Sequence, residues 1–76
     1  MAILLDFRKT REDGTQVEYR FGPPEEMDRL LVIDKVSGQG TPVDGPEDRV
    51  YAAVLWKILR QQRERQTWPD GGSYAA

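Results

Sequence analysis

The run ILLDFRKTREDGTQVEYRF at residues 3–21 decides the fold. Ile3, Leu5 and Phe7 alternate with Leu4, Asp6 and Arg8, and Val17, Tyr19 and Phe21 alternate with Gln16, Glu18 and Arg20. A period of two puts the apolar set of each run on one side of a strand. Between the runs, Glu12-Asp13-Gly14 reads as a three-residue loop with Gly14 left-handed in a bulge, so that Arg11 faces Thr15. That register sets Phe7 opposite Tyr19 and Leu5 opposite Phe21. On the other side it sets Arg8 against Glu18 and Asp6 against Arg20. A two-residue shift that opposed Asp6 to Glu18 would place like charges together, whereas favourable cross-strand pairs contribute ~0.2–1 kcal/mol each. The stretch is read as a β-hairpin in the register that pairs opposite charges.

Working outward, Gly22-Pro23-Pro24 stops the second strand, because neither proline can donate to a ladder. Glu25 to Asp28 fits a single helical turn, and Leu30-Leu31-Val32-Ile33 then reads as a strand over roughly residues 29–36. A helix over residues 24–31, with Met27, Leu30 and Leu31 on one side, is the competing reading. Ser37-Gly38-Gln39-Gly40 breaks the element, and residues 41–45 are a loop or a very short strand. A helix starts at Pro46, with Glu47 and Asp48 suited to the positive end of its dipole. Val50, Tyr51, Val54, Leu55, Ile58 and Leu59 form its apolar stripe. Gln62 and Arg65 hold the later stripe positions, so the last turns project beyond the core and end near Gln66. Residues 67–76, with Trp68-Pro69-Asp70-Gly71-Gly72, read as a turn-rich, partly mobile tail. The expected architecture is α+β: a three-stranded antiparallel sheet in β-β-β-α order, covered on one face by a single long C-terminal helix. Residues 1–66 form one domain, and 67–76 are the tail.

Composition narrows the chemistry. The chain has 76 residues, of which 38% are apolar, enough for one small core. Cysteine and histidine are absent. This removes disulfides, thiolate nucleophiles, Cys-ligated zinc and the imidazole base. No cofactor or metal is expected. No window approaches ~18 consecutive apolar residues, so no membrane span is expected. Met1 to Leu5 is interrupted by Asp6 and has no basic leader, so it is not read as a signal peptide, and the expected location is the cytoplasm.

The formal charge is −2, and it is uneven. Residues 1–50 carry seven basic and eleven acidic groups, and residues 51–76 carry four basic and two acidic ones. The late cations are Lys57, Arg60, Arg63 and Arg65. A nucleic-acid domain normally shows a clear cationic excess, since neutralising phosphates supplies most of its affinity. The carboxylates of Glu25, Glu26, Asp28, Asp34, Asp44, Glu47 and Asp48 lie in turns or at a helix start. A catalytic pair needs a cleft that separates two pKa values, which a sheet with one helix has little volume to build. No enzyme activity and no small-molecule substrate are expected. Gly38-Gln39-Gly40 has Val43 where a dinucleotide fingerprint needs glycine, and it reads as a plain turn.

Trp56 is the most informative residue. On a helical wheel it lies about 150° from the apolar stripe, sharing its side with Ala52, Ala53, Arg60 and Arg63. Burying such a ring is worth ~1.5–3 kcal/mol, so an outward indole calls for a cover. The tail can fold back so that Trp68, Pro69 or Tyr74 covers it; a partner or second copy can bury it; or nucleic acid can stack on it while Arg60 and Arg63 meet phosphates. The first expectation is a small non-catalytic protein-interaction or regulatory module, self-associating or docking on a protein. Its partner-binding residues would be Trp56, Ala52, Ala53, Arg60 and Arg63. The alternative is a nucleic-acid-binding domain using the basic end of the helix.

Overall fold

The computed structural model describes residues 4–75; Ile3 of the expected first strand and Ala76 of the expected tail lie outside them. The elements in order are β1 (Leu4–Glu12), β2 (Gln16–Gly22), β3 (Arg29–Asp34), β4 (Gly40–Pro42), α1 (Arg49–Arg65) and β5 (Gly71–Ala75). The strands form one antiparallel sheet in the order β4-β3-β2-β1-β5. The chain is therefore α+β with one sheet and one helix, but the sheet has five strands where three were expected. One addition is β4, too short to be marked by periodicity. The other is β5, which lies within the stretch read as a tail.

β5 is a strand because of what it packs on. Gly71 and Gly72 have low strand propensity, but a Cβ at Gly71 would lie 2.8 Å from the Phe7 carbonyl oxygen, and one at Gly72 would lie 2.9 Å from the Phe7 ring. Only glycine lets this backbone lie so close to β1. The approach is pinned just before the strand: Tyr19 Oη donates to the Pro69 carbonyl at 2.7 Å, and Lys9 N–H donates to the Asp70 carbonyl at 2.8 Å.

The hairpin forms, but in a different register. Phe7 faces Phe21, Arg8 faces Arg20, Lys9 faces Tyr19, and beyond a bulge at Thr10, Arg11 faces Glu18 and Glu12 faces Val17. The expected Arg8–Glu18 and Asp6–Arg20 pairs are not made. The turn decides this. Asp13 Oδ1 accepts the N–H groups of Thr15 and Gln16, each at 2.8 Å, and the hydroxyl of Thr15 at 3.1 Å. These bonds close a tight turn without a left-handed Gly14. They also hold the Asp13 carboxyl below its ordinary value, the Thr15 amide first among the causes. Phe7 then meets Tyr19 edge-on, with centroids 5.9 Å apart. The turn that Asp13 builds outweighs exposed charge pairs worth a few tenths of a kcal/mol, and Arg8 beside Arg20 is the consequence.

Between β2 and β3 neither the single helical turn at Glu25–Asp28 nor the competing helix is formed. The chain doubles back at Gly22, whose φ of 147° and 2.6 Å approach to the Glu26 carbonyl exclude a side chain. β3 follows as expected, with Leu31 and Ile33 buried inward and Leu30 and Val32 half-buried on the opposite face.

The helix starts three residues later than expected, at Arg49, because Asp48 is its N-cap. The Asp48 carboxylate accepts the Tyr51 N–H at 3.0 Å and pairs with Arg29 at 3.1 Å. These contacts, the Tyr51 amide foremost, hold its carboxyl below the usual range. The helix ends at Gln66, left-handed with φ of 61°, whose N–H reaches the Gln62 carbonyl. Tyr51, Val54 and Ile58 are buried against the sheet, and Val50, Leu55 and Leu59 flank them. With Leu5, Phe7, Val17, Tyr19, Phe21, Leu31 and Ile33 they form one core.

One side chain in that core is poorly served. Tyr51 Oη is the single buried side-chain polar atom among the described residues without a hydrogen-bond partner. A buried hydroxyl left unpaired forfeits about 1–3 kcal/mol. Tyr51→Phe is therefore expected to leave stability unchanged or raise it, and urea unfolding of the two proteins measures this.

Candidate functional site

The residues that carry chemistry occupy ordinary structural posts. Asp48 caps α1, and Asp34 Oδ1 accepts from the N–H groups of Val36 and Ser37. Glu25, Glu26, Asp28, Asp44 and Glu47 are exposed between elements. Among the described residues no three carboxylates are placed to share a cation. Gly38 turns the chain with φ of 74°, and Gly40 admits Leu55 and the Tyr51 hydroxyl to within 3 Å of where its Cβ would lie. The glycine pair therefore serves a turn and a packing contact.

A compact ion cluster ties the far end of the sheet together. Glu12 bridges Lys9 at 2.6 Å and Lys35 at 2.7 Å, and Lys9 also reaches Asp70 at 3.3 Å. The Lys35 hydrogen bond first, then that of Lys9, holds the Glu12 carboxyl below its ordinary value, while Glu12 raises the Lys9 ammonium. The opposing charges satisfy one another.

The uncovered face of the sheet carries a shallow cleft of about 560 Å³ lined by Asp6, Arg8, Arg20, Met27 and Ser73 among others. Ser73 Oγ donates to Asp6 Oδ1 at 2.7 Å. Arg8 and Arg20 face each other on this cleft, and among the described residues neither is in an ion pair.

The ledge around Trp56 is different. The indole is 51% exposed on the flank of α1 next to Tyr74 of β5. Arg60 lays its guanidinium 5.2 Å from the ring centroid, and Tyr74 of β5 meets the ring edge-on at 6.3 Å. Arg60 is also bound to Glu64 at 3.0 Å. Arg63 lines the same depression with Trp56, Leu59, Arg60 and Glu64. Ala52 is exposed beside them, and Ala53 is half-buried against the core. Of the three residues considered as a cover, only Tyr74 reaches the indole. Trp68 packs on the core, and Pro69 is buried with its carbonyl held by Tyr19. Among the described residues no ion pair engages Lys57, Arg63 or Arg65.

Tyr74 and the edge it stands on are the part of this site that the expected residues omit. β5 ends the sheet beyond β1. The signal that would have found it is the single aromatic Tyr74 among the small residues of Gly71-Gly72-Ser73-Tyr74-Ala75, which is too weak to read alone.

Among the described residues no helix is long and apolar enough to cross a membrane. No family model, no curated protein and no solved structure matches the chain.

Proposed function

We propose that this chain is a small non-catalytic protein-interaction module that docks through the ledge formed by Trp56, Tyr74 and Arg60. The observation that carries the reading is the indole, half in water yet fixed by an aromatic edge and a guanidinium. Trp, Tyr and Arg are the residues that dominate binding energy at protein interfaces. An ordered ring also loses little side-chain entropy on docking.

Nucleic acid fits the ledge less well. Arg60 takes one face of the indole, which leaves a single face on which a base could stack. The unpaired cations near the helix end number few, and the chain as a whole is acidic.

Trp56→Lys tests the proposal. The substitution is on the surface, so circular dichroism and the unfolding midpoint are expected to stay close to those of the parent protein. Complexes seen by sedimentation or by affinity capture with the parent protein should be lost. A variant that keeps every complex of the parent protein overturns the reading.

A further inference from the structure

Resting on that docking surface, we propose that the partner is a second copy of this chain, joined edge to edge through β5 about a two-fold axis at Ser73. The argument begins with the phase of the ladder. Lys9 N–H donates to the Asp70 carbonyl at 2.8 Å, and the pairing continues through Arg8↔Gly71, Phe7↔Gly72, Asp6↔Ser73, Leu5↔Tyr74 and Leu4↔Ala75. In an antiparallel ladder bonded and non-bonded pairs alternate. Gly72 and Tyr74 therefore turn their N–H and C=O groups toward β1. Gly71, Ser73 and Ala75 turn theirs to the outside of the last strand.

Those outward groups are self-complementary. A two-fold at Ser73 sets Ser73 against Ser73 of the second copy and Gly71 against its Ala75. Every outward N–H then meets an outward C=O, and the two sheets continue as one. On the helix side the same register sets Tyr74 over Gly72 of the second copy, where the absence of a side chain leaves room for the ring.

The edge is also unguarded. Sheet edges are normally blunted by charge, proline or a bulge. The opposite edge follows that rule, since β4 has three residues and ends in Pro42. β5 has five residues, with no charge and no proline. No like charges oppose one another across the axis, which is what a symmetric pairing requires.

The ledge completes the interface. α1 lies closest to β1 and β5. With strands ~4.8 Å apart, helices seated over the two β1 strands come roughly 14 Å apart. That exceeds the usual 8–10 Å of direct helix packing. The two Trp56 and two Tyr74 rings stand in that gap, and joining the copies buries the exposed half of each indole.

Ser73→Pro separates this inference from its premise. Proline removes the outward N–H of residue 73 together with the hydroxyl contact to Asp6, and leaves the backbone bonds to β1 in place. Ser73→Ala removes the hydroxyl contact to Asp6 but keeps that N–H. Sedimentation of the full chain over a wide concentration range should show a dimer for the parent protein and for Ser73→Ala, and a monomer for Ser73→Pro. Amide hydrogen exchange should show Gly72 and Tyr74 protected at all concentrations, with Gly71, Ser73 and Ala75 protected only where the dimer forms. A parent protein that stays monomeric at millimolar concentration overturns the two-fold pairing, and a different partner lost with Trp56→Lys would still support the ledge. A dimer that survives Ser73→Pro but not Trp56→Lys overturns the strand pairing alone.

Discussion

Phe21→Ala is expected to destabilise the protein by about 3–5 kcal/mol, the range for emptying a fully packed aromatic site. A chain of 76 residues has a total stability of roughly 4–11 kcal/mol. The variant should therefore lose a large part of its folded population, with a fall in Tm of at least ~12 °C. The position matters because the ring joins three elements. It is fully buried on β2, packs on Tyr51 of α1 at 6.4 Å, and lies 4.8 Å under the guanidinium of Arg29 at the start of β3. Arg29 in turn holds the Asp48 cap and the Pro46 carbonyl. Removing the ring leaves a cavity and loosens the cation that anchors the helix start. Phe21→Leu keeps most of the volume and should lose less than half as much. Thermal unfolding followed by circular dichroism checks both. A loss under ~1 kcal/mol for the alanine variant would place the stabilising core elsewhere.

The same contrast between large apolar groups and small polar ones explains what could be read in the chain beforehand. The alternation of Leu5 and Phe7 and of Val17, Tyr19 and Phe21 marks two strands because each step moves a large side chain into or out of water. The helical stripe from Val50 to Leu59 is legible for the same reason. Register is not, because its reading rests on a loop with a left-handed Gly14, checked only against exposed charges, and Gly14 is not left-handed. The turn built by Asp13 and the bulge at Thr10 contribute more, and neither has a strong signature in residue type. β5 was hidden because Gly71 and Gly72 read as turn formers, while their actual use is close approach to Phe7. Trp56 was visible on the wheel as an outward ring. Its neighbour Tyr74 was not, since that contact exists only once residues 71–75 are known to pair with β1. The angle of Ala53 on the wheel puts it on the outer face, yet it is half-buried and packs against the core.

Tyr19→Phe is expected to cost about 1–3 kcal/mol at neutral pH, with a loss that shrinks as the solution becomes alkaline. The phenol is fully buried and donates to the Pro69 carbonyl at 2.7 Å, so the variant leaves a buried acceptor without its donor. That bond ties β2 to the segment leading into β5, and amides of residues 71–75 should exchange faster in the variant. Burial, followed by the charges of Glu12 and Asp70, pushes the Tyr19 phenol well above its ordinary value. The folded state therefore holds this proton more tightly than the unfolded chain, where a tyrosine titrates near ~10. The stabilisation is complete below that pH and is lost as pH rises toward the folded value. Lys9 and Tyr51 are shifted in the same direction, Lys9 chiefly by its bond to Glu12 and Tyr51 chiefly by burial, so both proteins weaken in alkali. Only the parent protein also loses the Tyr19 contribution. Urea unfolding between about pH 7 and 11.5 should show the two stability curves converging above ~10. Parallel curves across that window would mean that the Tyr19 proton is not linked to folding.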